Sequence, residues 1–114
     1  MITTVEEMIR TYVEAWNHDT LEEFKREFAK CWTDETWYVD PEFEIQGIDA
    51  IANLAQISLE RIPGRKFSIA IQPEYHHNCG RYTWQVQIGN EKKQGFDYFE
   101  FNKEFKITRI SSFF

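Results

Sequence analysis

Asp97 is the residue of this sequence whose position points most directly to chemistry. It lies in the stretch GFDYFEF, where strand alternation places it on one face with Phe99 and Phe101. A carboxylate on an apolar face is costly unless it is protonated, paired or hydrogen-bonded. Burial raises the pKa of such a group, so Asp97 could donate a hydrogen bond near neutral pH. The alternative is a face that meets solvent or a partner chain, and the neighbouring phenylalanines argue against solvent.

Asp40 is a second candidate, and it stands directly before Pro41 in WYVDPEFEIQG. Strand alternation places Asp40 on the same face as Tyr38. An Asp-Pro pair is frequent in turns, so the local sequence favours an ordinary turn carboxylate. The competing interpretation is a carboxylate that points into an apolar cavity, where it could accept a proton.

Three aromatic residues could accompany these acids. Tyr12 lies on the buried stripe of the first predicted helix, and a buried hydroxyl usually needs a hydrogen-bond partner. A core tyrosine bonded to a backbone carbonyl is the commoner outcome. Trp16 and Trp84 could form the wall of a pocket, although such tryptophans more often fill a core.

The stretch HHNCG places His76 three residues before Cys79, a spacing that suggests a metal ligand pair. Zinc needs three or four protein ligands, and no second cluster has a suitable spacing. We therefore predict a hairpin end at this position and no metal site. The sequence also has no glycine-rich phosphate loop and no serine elbow, and we expect no cofactor.

Composition limits the class of protein and its partners. The 114 residues fit one domain, 1–114. A net charge of −6 argues against nucleic acid and anionic membranes as partners. The glutamates of MITTVEEMIR argue against a signal peptide, and no apolar run approaches membrane-spanning length. We therefore expect a cytoplasmic protein, with Cys31 and Cys79 as thiols. The aromatic content of 17% suits a lined cavity or an oligomer interface.

The elements that must position these residues are three helices and a sheet. Apolar spacing predicts helices over residues 3–17 and 48–62, and a second helix whose apolar stripe runs from Leu21 to Trp32. Strands are predicted at TWYV and EFEI, and then in RKFSIAIQPEYHH, RYTWQVQIG, FDYFEFN and FKITRISSFF, with NEKKQG as a connection. This order predicts an α+β fold in which helices pack on a strongly curved, mostly antiparallel sheet that encloses a pocket.

The chain resembles the nuclear transport factor 2-like superfamily, and within it the SnoaL-like and ketosteroid isomerase-like members. The resemblance is carried by YVEAWNHDTLEEF, by YVDP followed by GIDAI, by PGRKF, and by the ending GFDYFEFN with FKITRISSFF. These motifs span nearly the whole chain. The resemblance implies a cone-shaped domain (a cystatin-like roll) around a deep pocket, and a homodimer packed through the outer face of the sheet.

Similarity to the ketosteroid isomerases implies a role for three residues. Asp40 corresponds to their base before proline, and Tyr12 in YVEAWN corresponds to the tyrosine that donates to the substrate oxyanion. Asp97 in DYFEF corresponds to the carboxylic acid that is kept protonated beside it. The implied activity is isomerisation or cyclisation next to a carbonyl of a small apolar substrate. Glu42 and Phe43 depart from the small apolar residues of those isomerases.

Two alternatives to an enzyme are a non-catalytic binder of a small apolar ligand and a dimeric interaction module. For either an enzyme or a binder, we expect the pocket to be lined by Trp16, Tyr38, Trp84, Phe99, Phe101, Ile110 and Phe114.

Overall fold

The computed structural model describes residues 1–114 and contains three helices and six strands. The helices are α1 (Val5–Ala15), α2 (Leu21–Phe28) and α3 (Ile48–Arg61). The strands are β1 (Trp32–Val39), β2 (Glu44–Gln46), β3 (Lys66–His76), β4 (Cys79–Ile88), β5 (Glu91–Phe101) and β6 (Ile107–Phe113). The predicted α+β fold is confirmed.

One open sheet contains all six strands in the order β2-β1-β6-β5-β4-β3. Only the pairing of β1 with β6 is parallel, and every other neighbouring pair is antiparallel. The helices cover the concave face, because the apolar residues of α1, α2 and α3 share one core with the inward residues of the sheet. This arrangement is the predicted mostly antiparallel sheet with helices on one side.

Helices α1 and α2 begin where the sequence offers a capping side chain. The hydroxyl of Thr4 accepts a hydrogen bond from the backbone N–H of Glu7 (3.1 Å), and Thr20 accepts one from Glu23 (3.2 Å). Each bond satisfies an N–H that the first helical turn leaves unpaired.

The second helix is shorter than predicted, because it ends at Phe28 and Trp32 is the first residue of β1. The N–H of Ile107 donates to the carbonyl of Cys31 (2.8 Å), so the chain is already joined to β6 at this point. Trp32 remains in the core, where its ring stacks on Tyr12 at a centroid separation of 5.2 Å.

Strand β5 begins earlier than predicted. The β4–β5 ladder runs without a register shift from Cys79 opposite Glu100 to Ile88 opposite Glu91. The connection is therefore a turn at Gly89 and Asn90, and residues 91–95 belong to the strand. As a consequence, the inner face of β5 includes residues 93 and 95, which precede Asp97 in the chain.

Strand β3 departs from simple alternation. The sequence predicts that Phe67, Ile69 and Ile71 share one face. The register with β4 shifts between Ile69 and Ile71, and Ile71 is 59% exposed. A bulge of this kind turns the following side chain to the other face of the sheet.

The end of α1 is joined to β3 by the side-chain amide of Asn17. Its Nδ2 donates to the carbonyl of Phe67 (2.9 Å), and its Oδ1 accepts from the N–H of the same residue (2.8 Å). Asn17 thus pairs with this edge strand as a neighbouring strand would.

We predict that Asn17→Asp destabilises the fold by about 1–3 kcal/mol, because a carboxylate cannot donate to the Phe67 carbonyl and would face it across a part-buried contact. Urea unfolding at pH 7 measures this change. Asn90→Asp introduces the same charge in an exposed turn and should change the free energy of unfolding by less than about 0.5 kcal/mol. Equal effects of the two substitutions would contradict this role of Asn17.

Candidate functional site

A cavity of about 400 Å³ lies between the helices and the concave face of the sheet. Twelve of its 20 lining residues are hydrophobic, so it is an apolar site with a few polar groups. Tyr12, Asp40 and Asp97 all line this cavity, although they come from α1, the end of β1 and β5. The structure therefore places in one cavity the three residues for which the family resemblance implies a catalytic role.

Asp97 is placed in the cavity wall by the two strands that flank β5. It lies opposite Tyr82 of β4 and opposite Ser112 of β6. The Tyr82 hydroxyl donates a hydrogen bond to Oδ2, and the indole N–H of Trp84 donates to Oδ1 (3.0 Å). The residue is only 3% exposed. The prediction that Asp97 lies on a buried apolar face is confirmed.

Burial raises the pKa of Asp97 to about 6. The neighbouring Ser112 hydroxyl and the hydrogen bonds from Tyr82 and Trp84 oppose this rise, and the nearby Asp40 carboxylate adds to it. Asp97 therefore carries its proton in a large fraction of molecules near pH 6. In that state its carboxyl group can donate a hydrogen bond to a ligand oxygen.

Gly95 makes room for the indole that binds Asp97. It lies opposite Trp84 in the β4–β5 ladder, and a Cβ at this position would lie 2.4 Å from the Trp84 ring. Any larger residue would therefore displace the ring. On its other side, the indole packs edge-on against Phe114, which also lines the cavity.

Asp40 is both a turn residue and a cavity residue. Its Oδ1 accepts from the backbone N–H groups of Glu42 and Phe43, both at 2.7 Å, which closes the turn before β2. Its Oδ2 accepts from the hydroxyl of Tyr38 (2.8 Å). The two interpretations that the sequence left open therefore hold together, one for each carboxylate oxygen.

Two tyrosine hydroxyls also line the cavity, and both remain protonated at neutral pH. Burial raises the pKa of Tyr12 and of Tyr38, and the negative charges of Asp97 and Asp40, respectively, raise each further. The Tyr38 hydroxyl is already engaged with Asp40, whereas the hydrogen bonds of the site leave the Tyr12 hydroxyl free to donate to a ligand.

Four of the predicted pocket residues line the cavity, namely Trp16, Tyr38, Trp84 and Phe114. The prediction is wrong for Phe99, Phe101 and Ile110. Phe99 and Ile110 pair across β5 and β6 and are fully buried in the main core. Phe101 stacks on Phe105 at the far end of β5. These residues lie on the part of the sheet that packs against the main core, and none of them lines the cavity.

Sequence reasoning missed the part of the wall that α3 contributes. Leu54, Ile57, Ser58 and Arg61 line the cavity and recur at helical spacing beside the predicted buried face of α3. That spacing was the available signal. Phe43, which departs from the isomerase pattern, also lies in the wall.

The rim of the cavity is charged. Arg61 donates to Glu42 (3.4 Å) and its guanidinium lies 6.0 Å from the centroid of the Phe43 ring. Lys93 of β5 also lines the opening. The wide apolar interior therefore opens to solvent through a mouth that contains both signs of charge.

No group of three or more His, Cys, Asp or Glu side chains is arranged to hold a metal ion. At the β3–β4 turn, the Nδ1 atoms of His76 and His77 lie 3.0 Å apart. The absence of a metal from this protein stays a prediction. No helix is both long and apolar enough to cross a membrane.

Solved structures resemble this chain over almost its whole length. A proposed isomerase of the SnoaL-like family from Agrobacterium tumefaciens strain C58 aligns with a TM-score of 0.87 and 27% identity, over 97% of each chain. A nuclear transport factor 2-like protein of unknown function from Cytophaga hutchinsonii gives 0.71 and 12%, over 98% of this chain and 90% of its own. A proposed ketosteroid isomerase from Kribbella flavida gives 0.71 and 16%, over 96% and 76%. No protein-family model and no curated protein matches the sequence.

We predict that Asp97 makes the protein less stable as the pH rises from about 4 to about 6. Folded Asp97 holds its proton to about pH 6, whereas the ordinary value is 3.8, so the folded state binds more protons in this window. The stability that it contributes is complete below pH 4 and is lost as the pH passes 6. The full difference corresponds to about 3 kcal/mol.

The measurement is the free energy of unfolding between pH 3.5 and 7 for the wild type and for Asp97→Asn. The difference between the two curves cancels the contributions of the other carboxylates. The free energy of unfolding of the wild type, relative to that of Asp97→Asn, should fall as the pH rises through this window. A difference that stays constant with pH would contradict the raised pKa.

Proposed function

We propose that this chain, which shares its fold with nuclear transport factor 2-like structures as its motifs predict, is a small acid/base enzyme. It transfers a proton next to the carbonyl group of a small apolar substrate, in an isomerisation or a cyclisation. The observation that supports this proposal is the placement of Asp40, Asp97 and the free Tyr12 hydroxyl around one apolar cavity.

Asp40 acts as the general base in this proposal. Its Oδ1 is held by two backbone N–H groups, so the carboxylate has a fixed orientation in the cavity wall. The carboxylate takes a proton from the carbon beside the carbonyl, and the electron pair of the broken C–H bond moves into an enolate. Asp40 then returns the proton to another carbon of the same substrate, which completes an isomerisation without any other reagent.

Tyr12 and protonated Asp97 stabilise the enolate oxygen by donating hydrogen bonds to it. Both donors are buried, and Asp97 is held in place by Tyr82 and Trp84 before any substrate binds. Preorganised donors of this kind lower a reaction barrier by about 3 kcal/mol each. Tyr38 positions the base, because its hydroxyl binds the second oxygen of Asp40.

We expect Asp40→Asn to reduce proton transfer by at least about 100-fold while leaving the fold intact. The amide oxygen of asparagine can still accept from the N–H groups of Glu42 and Phe43, so the turn should persist. The assay follows the conversion of 3-cyclohexenone to its conjugated isomer by ultraviolet absorbance.

Asp34→Asn is the matched control, because Asp34 is an exposed carboxylate of β1 outside the cavity. Its rate should equal that of the wild type. A rate for Asp40→Asn within twofold of the wild type would show that Asp40 is not the base. A wild-type protein that is stabilised by the ketone but never converts it would favour the alternative function, a non-catalytic binder of small apolar molecules.

We further propose that the protein forms a homodimer through the outer face of the sheet. Phe96 and Phe113 stack there at a centroid separation of 4.9 Å and are 45% and 52% exposed. Ile71, turned outward by the bulge of β3, extends this apolar row across β4. Covering such a row in a dimer would remove apolar surface from water.

Replacing Phe96 with Lys should shift the protein from dimer to monomer, because two copies of the new charge would face the shared apolar contact. Analytical ultracentrifugation at about 20 μM measures the mass. Asn53→Lys adds the same charge at an exposed position of α3, on the opposite side of the sheet, and should leave the dimer intact. A wild-type protein that sediments as a monomer would contradict the dimer.

A further inference from the structure

We propose that the ligand of this cavity carries a carboxylate at the end opposite its carbonyl group, and that Lys93 binds this carboxylate at the cavity mouth. The position of the carbonyl end rests on the function proposed above. The position of the carboxylate end rests on the charges of the rim.

Lys93 and Asp97 are fixed on one side of the sheet by strand β5. Residues 93, 95 and 97 alternate onto its inner face, and the ladder with β4 is regular over this stretch, with Val86 opposite Lys93 and Tyr82 opposite Asp97. Four residues of strand separate their Cα atoms by about 13 Å. Lys93 is exposed at the opening and Asp97 is buried, so the two mark the outer and inner ends of one cavity wall.

Lys93 is the unpaired cation of the cavity lining. The other lining cation, Arg61, already binds Glu42 at 3.4 Å, whereas Lys93 takes part in no ion pair. Val86 and Ile88 line the cavity beside it, so a ligand that reaches the Lys93 ammonium group also covers apolar surface. A carboxylate that binds there would be only partly hydrated, which strengthens the ion pair relative to one in open solvent.

The inner end of the cavity excludes the opposite orientation. The polar groups near the buried Asp97 include the protonated hydroxyls of Tyr12 and Tyr38 and the half-buried carboxylate of Asp40. The cavity lining has no cation besides Arg61 and Lys93. An anionic group of the ligand would be repelled by Asp40 and would lose its hydration. The ligand class that fits both ends is therefore an apolar ring or short ring system with a carbonyl at one end and a carboxylate at the other.

Two fluorescent probes test this proposal by binding alone. In trans-4-hydroxystilbene-4′-carboxylate, the phenol stands in for the enolate oxygen and the carboxylate lies at the far end. In trans-4-hydroxystilbene the carboxylate is missing. We expect the wild-type protein to bind the carboxylate probe about threefold to tenfold more tightly at low salt. The preference should shrink as sodium chloride screens the ion pair.

The substitution Lys93→Gln should abolish this preference and leave the affinity for the neutral probe unchanged. Lys92→Gln is the matched control, because it removes the same charge from the outer face of the same strand. This variant should keep the preference for the carboxylate probe. The readout is the dissociation constant of each probe for each protein, measured by fluorescence titration.

Equal affinities of the two probes for the wild type, or a preference that survives Lys93→Gln, would overturn the role of Lys93. Binding of neither probe would overturn it as well. All of these results differ from a failure of the proposed reaction, because the ketone assay uses a substrate without a carboxylate. A protein that prefers the carboxylate probe through Lys93 but never isomerises the ketone would retain this ligand class and lose the proton transfer.

Discussion

The buried carboxyl group of Asp97 is the constraint on which the rest of the site depends. An isolated carboxylate in an apolar interior would cost several kcal/mol, so the group must be protonated or hydrogen-bonded. Here Tyr82 and Trp84 of β4 donate to it, and Ser112 of β6 lies opposite. Asp97 of β5 therefore meets these polar partners only when β4 and β6 are both in the correct register with β5. The same donors leave the group with a pKa of about 6, where it can both hold and release a proton.

Polar contacts at the ends of α1 and α3 help to hold the walls of the cavity in place. Asn17 joins the end of α1 to β3 through the backbone of Phe67. Arg65 follows α3, is only 5% exposed, and donates to the Ser58 hydroxyl (2.9 Å) and the Ala55 carbonyl (3.2 Å). Its guanidinium also lies 5.2 Å from the centroid of the Phe67 ring. These bonds hold two cavity-lining elements at a fixed distance across an interior that side chains do not fill.

Much of this arrangement could be predicted because it follows from alternation and helical spacing. Strand alternation alone placed Asp97 on a buried face, and helical spacing placed Tyr12 in the core. Asp40 was harder, since its turn and its cavity contact use different oxygens of one carboxylate. The local sequence pattern predicts the turn contact of Asp40 but does not predict its contact with the cavity. The family resemblance supplied the connection among these three residues.

The remaining errors have physical causes that one sequence does not display. The first half of β5 contains Lys92 and Lys93, and this charged composition is typical of a loop. In the structure it is a strand in which Lys92 faces outward and Lys93 faces the cavity mouth. The bulge that turns Ile71 outward depends on the pairing of β3 with β4, not on the composition of β3. Phe99 and Ile110 share the inner face of the sheet with the pocket residues, but strand alternation does not show where along a strand the packed core gives way to the cavity.

The most direct test of this account is a carbon-13 NMR titration of the Asp97 side-chain carboxyl, with and without bound trans-4-hydroxystilbene. The account predicts a pKa of about 6 in the free protein. It also predicts a higher value in the complex, because the protonated carboxyl donates to the ligand oxygen and loses contact with solvent. A pKa near the ordinary 3.8 in the free protein, or one that the bound phenol leaves unchanged, would contradict the assignment of Asp97 as the proton-bearing donor of the site.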